Sequence, residues 1–195
     1  MTLTEYSSKE DLQAAIRNAE EYTRKNAASP KVQRAYRKKS RWCIWIGNTP
    51  GGVKAMFVHI FDKQGILTYP FVIVDGSDGD SYVGSWAQGL FVLHGHAISR
   101  VIERTGCTLD RTDIAIDVLG ALTAVAVSHD SDTWYVRYHE GMFLCVFIDD
   151  VFHIRTFITE KQAKKNQRLF AIKAENETKE LRQRIDEKAK KHQQK

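Results

Sequence analysis

From Arg41 to Gly76 the chain reads RWCIWIG, NTPGG, VKAMFVHIFD, KQG and ILTYPFVIVDG. Runs rich in Val, Ile, Phe and Trp, cut about every ten residues by turns containing Gly, Pro or Asn, cannot sustain a helical period and predict an antiparallel β meander. The flanking sequence has a different period. In residues 9–25, KEDLQAAIRNAEEYTRK, Leu12, Ala15, Ile16, Ala19 and Tyr22 recur at helical spacing behind a Ser7/Ser8 cap, so an amphipathic helix is expected. A basic run, Lys31 to Arg41, follows it around Tyr36.

Beyond the meander, SDGDSYVGS (77–85) reads as a loop; Asp78, Asp80 and Ser81 resemble a fragment of a calcium loop without its closing Glu. LFVLHGHAISRVIERT (90–105) has helical spacing and stops at Gly106. A second helix, Thr108 to Leu119, is expected to turn Leu109, Ile116 and Leu119 inward. Four short strands, ALTAVAVSH, TWYVRYHEG, MFLCVFID and VFHIRTFIT, then complete an antiparallel sheet on which both helices can pack. Ile158 to Lys195, with widely spaced Leu169, Phe170, Ile172, Leu181 and Ile185 among Lys, Glu, Gln and Arg, predicts a long exposed helix. The expected class is α+β: an N-terminal β meander and a helix-helix-four-strand unit, flanked by basic helices at both ends. The expected divisions are a basic arm (1–41), a core (42–159, with the meander over 42–89 and the candidate site in 90–159) and a basic helix (160–195).

Composition narrows the class of protein. Of 195 residues, 43% are hydrophobic and 27% charged, which excludes a disordered tail, a fibre and a disulfide-stapled miniprotein. No apolar run approaches the roughly 20 residues of a membrane-spanning helix, and the start has no apolar signal-peptide centre, so a cytoplasmic protein with no membrane partner is expected. Cys43, Cys107 and Cys145 are far apart and odd in number; they read as small hydrophobes. Charge is unevenly spread. Residues 1–41 hold ten Lys/Arg against five Asp/Glu and residues 160–195 twelve against six, which leaves the middle seven against thirteen. Basic arms of this kind either follow phosphate or keep a protein in solution.

Chemically useful side chains concentrate in LHGHAISRVIER (93–104). At helical spacing His96 and Arg100 are neighbours, Glu103 is one turn on, and Arg104 lies nearer the apolar side. An imidazole in a first helical turn, beside guanidinium groups, suits phosphodiester cleavage without a metal or other cofactor. The imidazole moves a proton near neutral pH, and the guanidinium stabilises charge on non-bridging oxygens. Two plainer readings stand beside this: a solvated helix face with an Arg100–Glu103 pair and a structural His, or a His94-x-His96 metal pair short of ligands.

HAISRVIER (96–104) resembles the H-x-x-x-R-x-x-E-R signature of a group of uncharacterised bacterial and mobile-element proteins. It is also similar to the H-A-x-x-R-M-x-x-R-G opening of a small toxin-like family assigned to the RelE, barnase and EndoU-like ribonuclease fold. The resemblance covers Leu90 to Thr159. It implies a catalytic set of His96, Arg100 and Arg104 with a late-strand hydroxyl, for which Thr156 is the best match and Thr159 the second. His153 and Arg155 are possible helpers, and Glu103, His94, Arg155 and Thr159 are expected to contact substrate. The implied function is metal-independent endoribonuclease action of a toxin, defence or mobile-element type, on RNA, with a protein such as an antitoxin as a further partner. The alternative is a non-catalytic module binding nucleic acid or protein through the basic arms, with Trp42, Trp45 and Tyr36 stacking on bases. Self-association through the C-terminal helix is a third expectation.

Overall fold

The computed structural model describes residues 8–40, 42–49, 51–61, 65–76, 78–86, 89–124, 128–130 and 132–193. The fold is α+β, with antiparallel strand pairing and helices towards both ends of the chain. Its contacts form two compact units: residues 1–95 with 148–152, and residues 96–147 with 153–195.

The first unit opens with α1 (Lys9–Ala27) and α2 (Pro30–Arg37). The Ser8 hydroxyl accepts the Asp11 N–H at 3.2 Å, so the expected cap is in place. A meander follows: β1 (Trp42–Asn48), β2 (Lys54–Phe61), β3 (Ile66–Gly76), β4 (Gly79–Trp86) and β5 (Gly89–Leu93), each antiparallel to the next. The meander is longer than the sequence suggested. Most of the expected 77–85 loop is β4, and Leu90–Leu93, expected as helix, is β5. Gly79 lets the β3–β4 hairpin turn at a φ of 103°, and the strand then pairs fully despite its polar composition. The fragment likened to a calcium loop is engaged otherwise: Asp80 pairs with Lys54 at 2.7 Å and the Ser81 hydroxyl accepts the Gly95 N–H.

The register Ala55↔Val72, Val72↔Val83 and Val83↔Val92 aligns these residues on one face with Phe57, Val74 and Leu90. Leu12, Ala15, Ile16 and Ala19 of α1 pack on that face. Each large side chain buried there stabilises the fold by roughly 1.5–3 kcal/mol. Trp45 stacks on Phe57 at 5.2 Å within this core, which removes it from the set of base-stacking candidates. His59 is buried on the same face, between Asn26 Oδ1 at 2.7 Å and Thr68 Oγ1 at 2.9 Å. Burial, and then the charge of Lys31, lower its pKa to about 4.

The second unit contains α3 (Gly95–Thr105), α4 (Arg111–Ala124), β6 (Ser128–Asp130), β7 (Thr133–Tyr138), β8 (Gly141–Ile148), β9 (Val151–Thr159) and α5 (Lys165–Gln193). Its strands lie in the order β9-β8-β7-β6. The segment expected as a strand over 121–129 behaves differently. Helix α4 continues through Gly120 to Ala124, because one Gly costs a helix only about 1 kcal/mol, and residues 125–127 lie outside the described set. Leu109 precedes α4 and is exposed, while Ile114, Ala115 and Val118 face inward.

Strand alternation sorts the two sides of this sheet. Tyr135, Met142, Leu144 and Ile158 meet Ala163, Phe170 and Ala171 of the α5 region. Tyr138, Phe143 and Phe157 share the opposite side in mutual ring contacts, and Tyr138 donates to Asp117 of α4. The sheet is therefore sandwiched between α4 and α5. Gly141 permits β8 and β9 to close, since a Cβ there would collide with the Phe157 ring and the Ile158 carbonyl. Asp149 and Asp150, with φ of 49° and 59°, supply the left-handed pair that a tight β8–β9 turn needs. Cys43 and Cys145 are buried as expected; Cys107 is half-buried.

Candidate functional site

Helix α3 brings part of the expected set together. His96 stands in its first turn, and Arg100 Nε donates to His96 Nε2 at 3.4 Å, a long contact. The Arg100 Nη1 is also paired with Glu103 one turn on, so its fork is engaged by its own helix. Arg104 leaves this cluster and donates through Nη1 to the backbone carbonyl of Phe157 on β9.

Two expected members lie elsewhere. Thr156 alternates with Phe157 and shares the side of Ile158, which faces α5. Helix α3 is tied by the Arg111–Ser99 bond of 3.1 Å to α4, on the other side. The sheet stands between Thr156 and His96, so the expected convergence of imidazole and late-strand hydroxyl does not occur. His94 is only 3% exposed at the end of the buried β5 run, which corrects its assignment as a substrate contact. Arg155 is exposed on β9 and His153 is half-buried.

Arg104 and the second-choice hydroxyl, Thr159, do meet. They line a cleft of about 530 Å³ with Thr105, His139, Glu140, Glu160 and Lys161. Thr159 is held from behind, its N–H and hydroxyl both bonded to Gln162 Oε1 at 3.2 Å. Glu160 is paired with Arg137. The residue that sequence reasoning missed is His139, in the β7–β8 turn. Its Nε2 lies 2.8 Å from Asp117 Oδ2, the same oxygen that accepts the Tyr138 hydroxyl at 3.0 Å. Burial, then the Asp117 charge, push the Tyr138 pKa far up, so this phenol stays a donor to the carboxylate. With Asp117 as acceptor, His139 carries its proton on Nε2 and leaves Nδ1 as the basic atom. His139 also sits at a φ of 45°, a backbone region that non-glycine residues enter rarely and that concentrates at functional sites.

The only sequence signal for His139 was its place in an HEG turn. Asp117, 22 residues earlier on another element, had none.

A second cleft, of about 380 Å³, adjoins the first at Glu160 and Lys161 and runs along α5 past Arg137, Arg168 and Ile172. Along α5 three cations are engaged in exposed ion pairs, Lys173–Glu177, Lys179–Glu175 and Arg184–Glu180. By contrast Lys31, Arg34, Arg37, Lys38 and Lys39, in and after α2, are all exposed with no acid among them. No helix among the described residues is long and apolar enough to cross a membrane. No family model, curated protein or solved structure matches this chain.

Proposed function

We propose that the chain is a metal-independent endoribonuclease-like enzyme of toxin, defence or mobile-element type, acting on RNA in the cytoplasm, with its chemistry in the Arg104–His139–Lys161 cleft. The observation that carries this reading is the Asp117-oriented imidazole on the rim of a cleft that also holds a guanidinium and an ammonium group. His139 Nδ1 takes the proton of a ribose 2′-hydroxyl, and the 2′-oxygen attacks phosphorus. The 5′-oxygen departs with a proton from water, leaving a 2′,3′-cyclic phosphate and a 5′-hydroxyl. Arg104 and Lys161 stabilise the charge on the phosphoryl oxygens, while Asp117 holds the ring in its working tautomer.

The test is cleavage of single-stranded RNA in the presence of chelator. His139→Ala is expected to lower the rate by about 10² to 10⁴. Asp117→Asn is expected to lower it less, and Thr156→Ala to leave it unchanged. Loss of cleavage on His96→Ala but not His139→Ala would return the chemistry to α3. Absence of cleavage by the unmodified chain would remove the enzyme reading. The basic run at α2 favours a second reading, a nucleic-acid-binding module, in which RNA binding persists in His139→Ala and depends on α2 alone.

A further inference from the structure

In the second unit the Asp117 carboxylate serves two donors through one oxygen. Its Oδ2 lies 3.0 Å from the Tyr138 hydroxyl and 2.8 Å from His139 Nε2. Consecutive residues of a strand ordinarily point to opposite sides. The left-handed backbone at His139, with a φ of 45°, breaks that alternation and swings the imidazole back toward its predecessor. The two rings stand 4.5 Å apart and nearly perpendicular, at 79°. Tyr138 itself is fixed: it is buried, and its ring packs on Phe143 at 5.0 Å and on Phe157 at 6.0 Å. The His139 and Asp117 side chains are 65% and 47% exposed, so the phenol ties a solvent-facing pair to the core.

Sharing one oxygen has an electrostatic consequence. An ionised carboxylate stabilises an imidazolium beside it through the negative charge it presents. A phenol donating to the same oxygen takes up part of that charge, and the imidazolium is then held less firmly. Burial first, then the Asp117 charge and hydrogen bond, and lastly Cys107 oppose ionisation of the Tyr138 phenol. It therefore remains a donor throughout the range over which an imidazole titrates. Other charged groups surround the ring: Arg104, Glu140, Glu160 and Lys161 line the same cleft, and Asp113 stands one turn before Asp117 on α4. Arg104 and Glu160 are engaged by the Phe157 carbonyl and by Arg137. The Tyr138 hydroxyl acts at the atom that His139 itself uses.

We propose that Tyr138 is a positioning residue for His139: its hydroxyl fixes Asp117 Oδ2 against the imidazole and moderates the pull of the carboxylate on the ring, which favours the uncharged form that can accept a proton at Nδ1. The role in cleavage rests on the reading of His139 as the base of the cleft; the coupling of Tyr138 to His139 through Asp117 does not.

The experiment pairs an NMR titration of the His139 ring in the full chain with the pH profile of single-stranded RNA cleavage in chelator. Tyr138→Phe keeps the buried ring and removes only the hydroxyl. Its His139 signals are expected to change at a pH about half a unit higher than in the unmodified chain. The acid limb of the cleavage profile is expected to move with them, so that the rate below the midpoint falls about threefold. In an Asp117→Asn background the same Tyr138→Phe change is expected to move neither, since the hydroxyl acts through the carboxylate. A His139 titration that does not rise in Tyr138→Phe, a rise that persists undiminished in Asp117→Asn, or a cleavage rate lowered equally at every pH overturns the proposal. Absence of cleavage by the unmodified chain removes the enzyme reading, and the ring titration then decides by itself whether Tyr138 governs His139.

Discussion

His59 shows how a single side chain couples this fold to pH. Its imidazole is enclosed between Asn26 and Thr68, and its pKa falls from 6.5 to about 4. Between those values the unfolded chain takes up a proton that the folded chain refuses, so stability falls as pH is lowered through this window. The expected loss between pH 7 and pH 4 is on the order of 2–3 kcal/mol. Denaturant melts over that range should show a shallower slope for His59→Gln than for the unmodified chain; equal slopes would refute the assignment. Nothing in the local sequence, VHIFD, distinguished this His from a surface one, because its partners are Asn26 and Thr68. The same holds for His139 and Asp117. Contacts inside one helix, such as Arg100–Glu103, follow from spacing; contacts between elements depend on packing that spacing does not encode.

Among the elements, α5 separates what periodicity can and cannot show. Its length was legible from composition, but the stripe that anchors it was not. The expected apolar positions included Leu169 and Ile172, which are exposed, whereas the buried positions are Ala171, Ala174 and Thr178, with Phe170 stacked on Tyr135 at 5.3 Å. Small residues let the helix approach the sheet closely, and hydropathy scales give them little weight. The Leu181 and Ile185 side chains lie outside the described set. Phe170→Ala should therefore cost about 3 kcal/mol, while Leu169→Ser should stay within about 0.5 kcal/mol. Urea melts of the two variants check this, and similar losses would mean the wrong stripe has been assigned. Strand β4 was missed because SDGDSYVGS has the composition of a loop, and the pairing register supplies what its propensity does not; β5 was missed because its apolar LFVL run was joined to the helical spacing that follows it.

At the scale of the molecule, the uneven charge seen in the sequence is redistributed by folding. The C-terminal cations are partly neutralised along α5, while those at α2 stay open to solvent. If the chain binds RNA, affinity should fall with salt, and the logarithmic slope should shrink by about 0.7 for each phosphate-contacting residue removed from α2. Fluorescence anisotropy with Arg34→Glu and Lys39→Glu measures it, and a slope that does not move would place the RNA away from α2. The α+β class and most element boundaries were readable from alternation and turn residues. The grouping into two units was not, since residues 148–152 join the first unit from far along the chain.

The neighbour relations of the meander carry a consequence for how the protein is made. Each strand after β1 bonds to the one synthesised just before it. No distant loop has to close before the next pairing begins. A nascent chain leaving the ribosome can thus lay down the sheet strand by strand, in the order of translation.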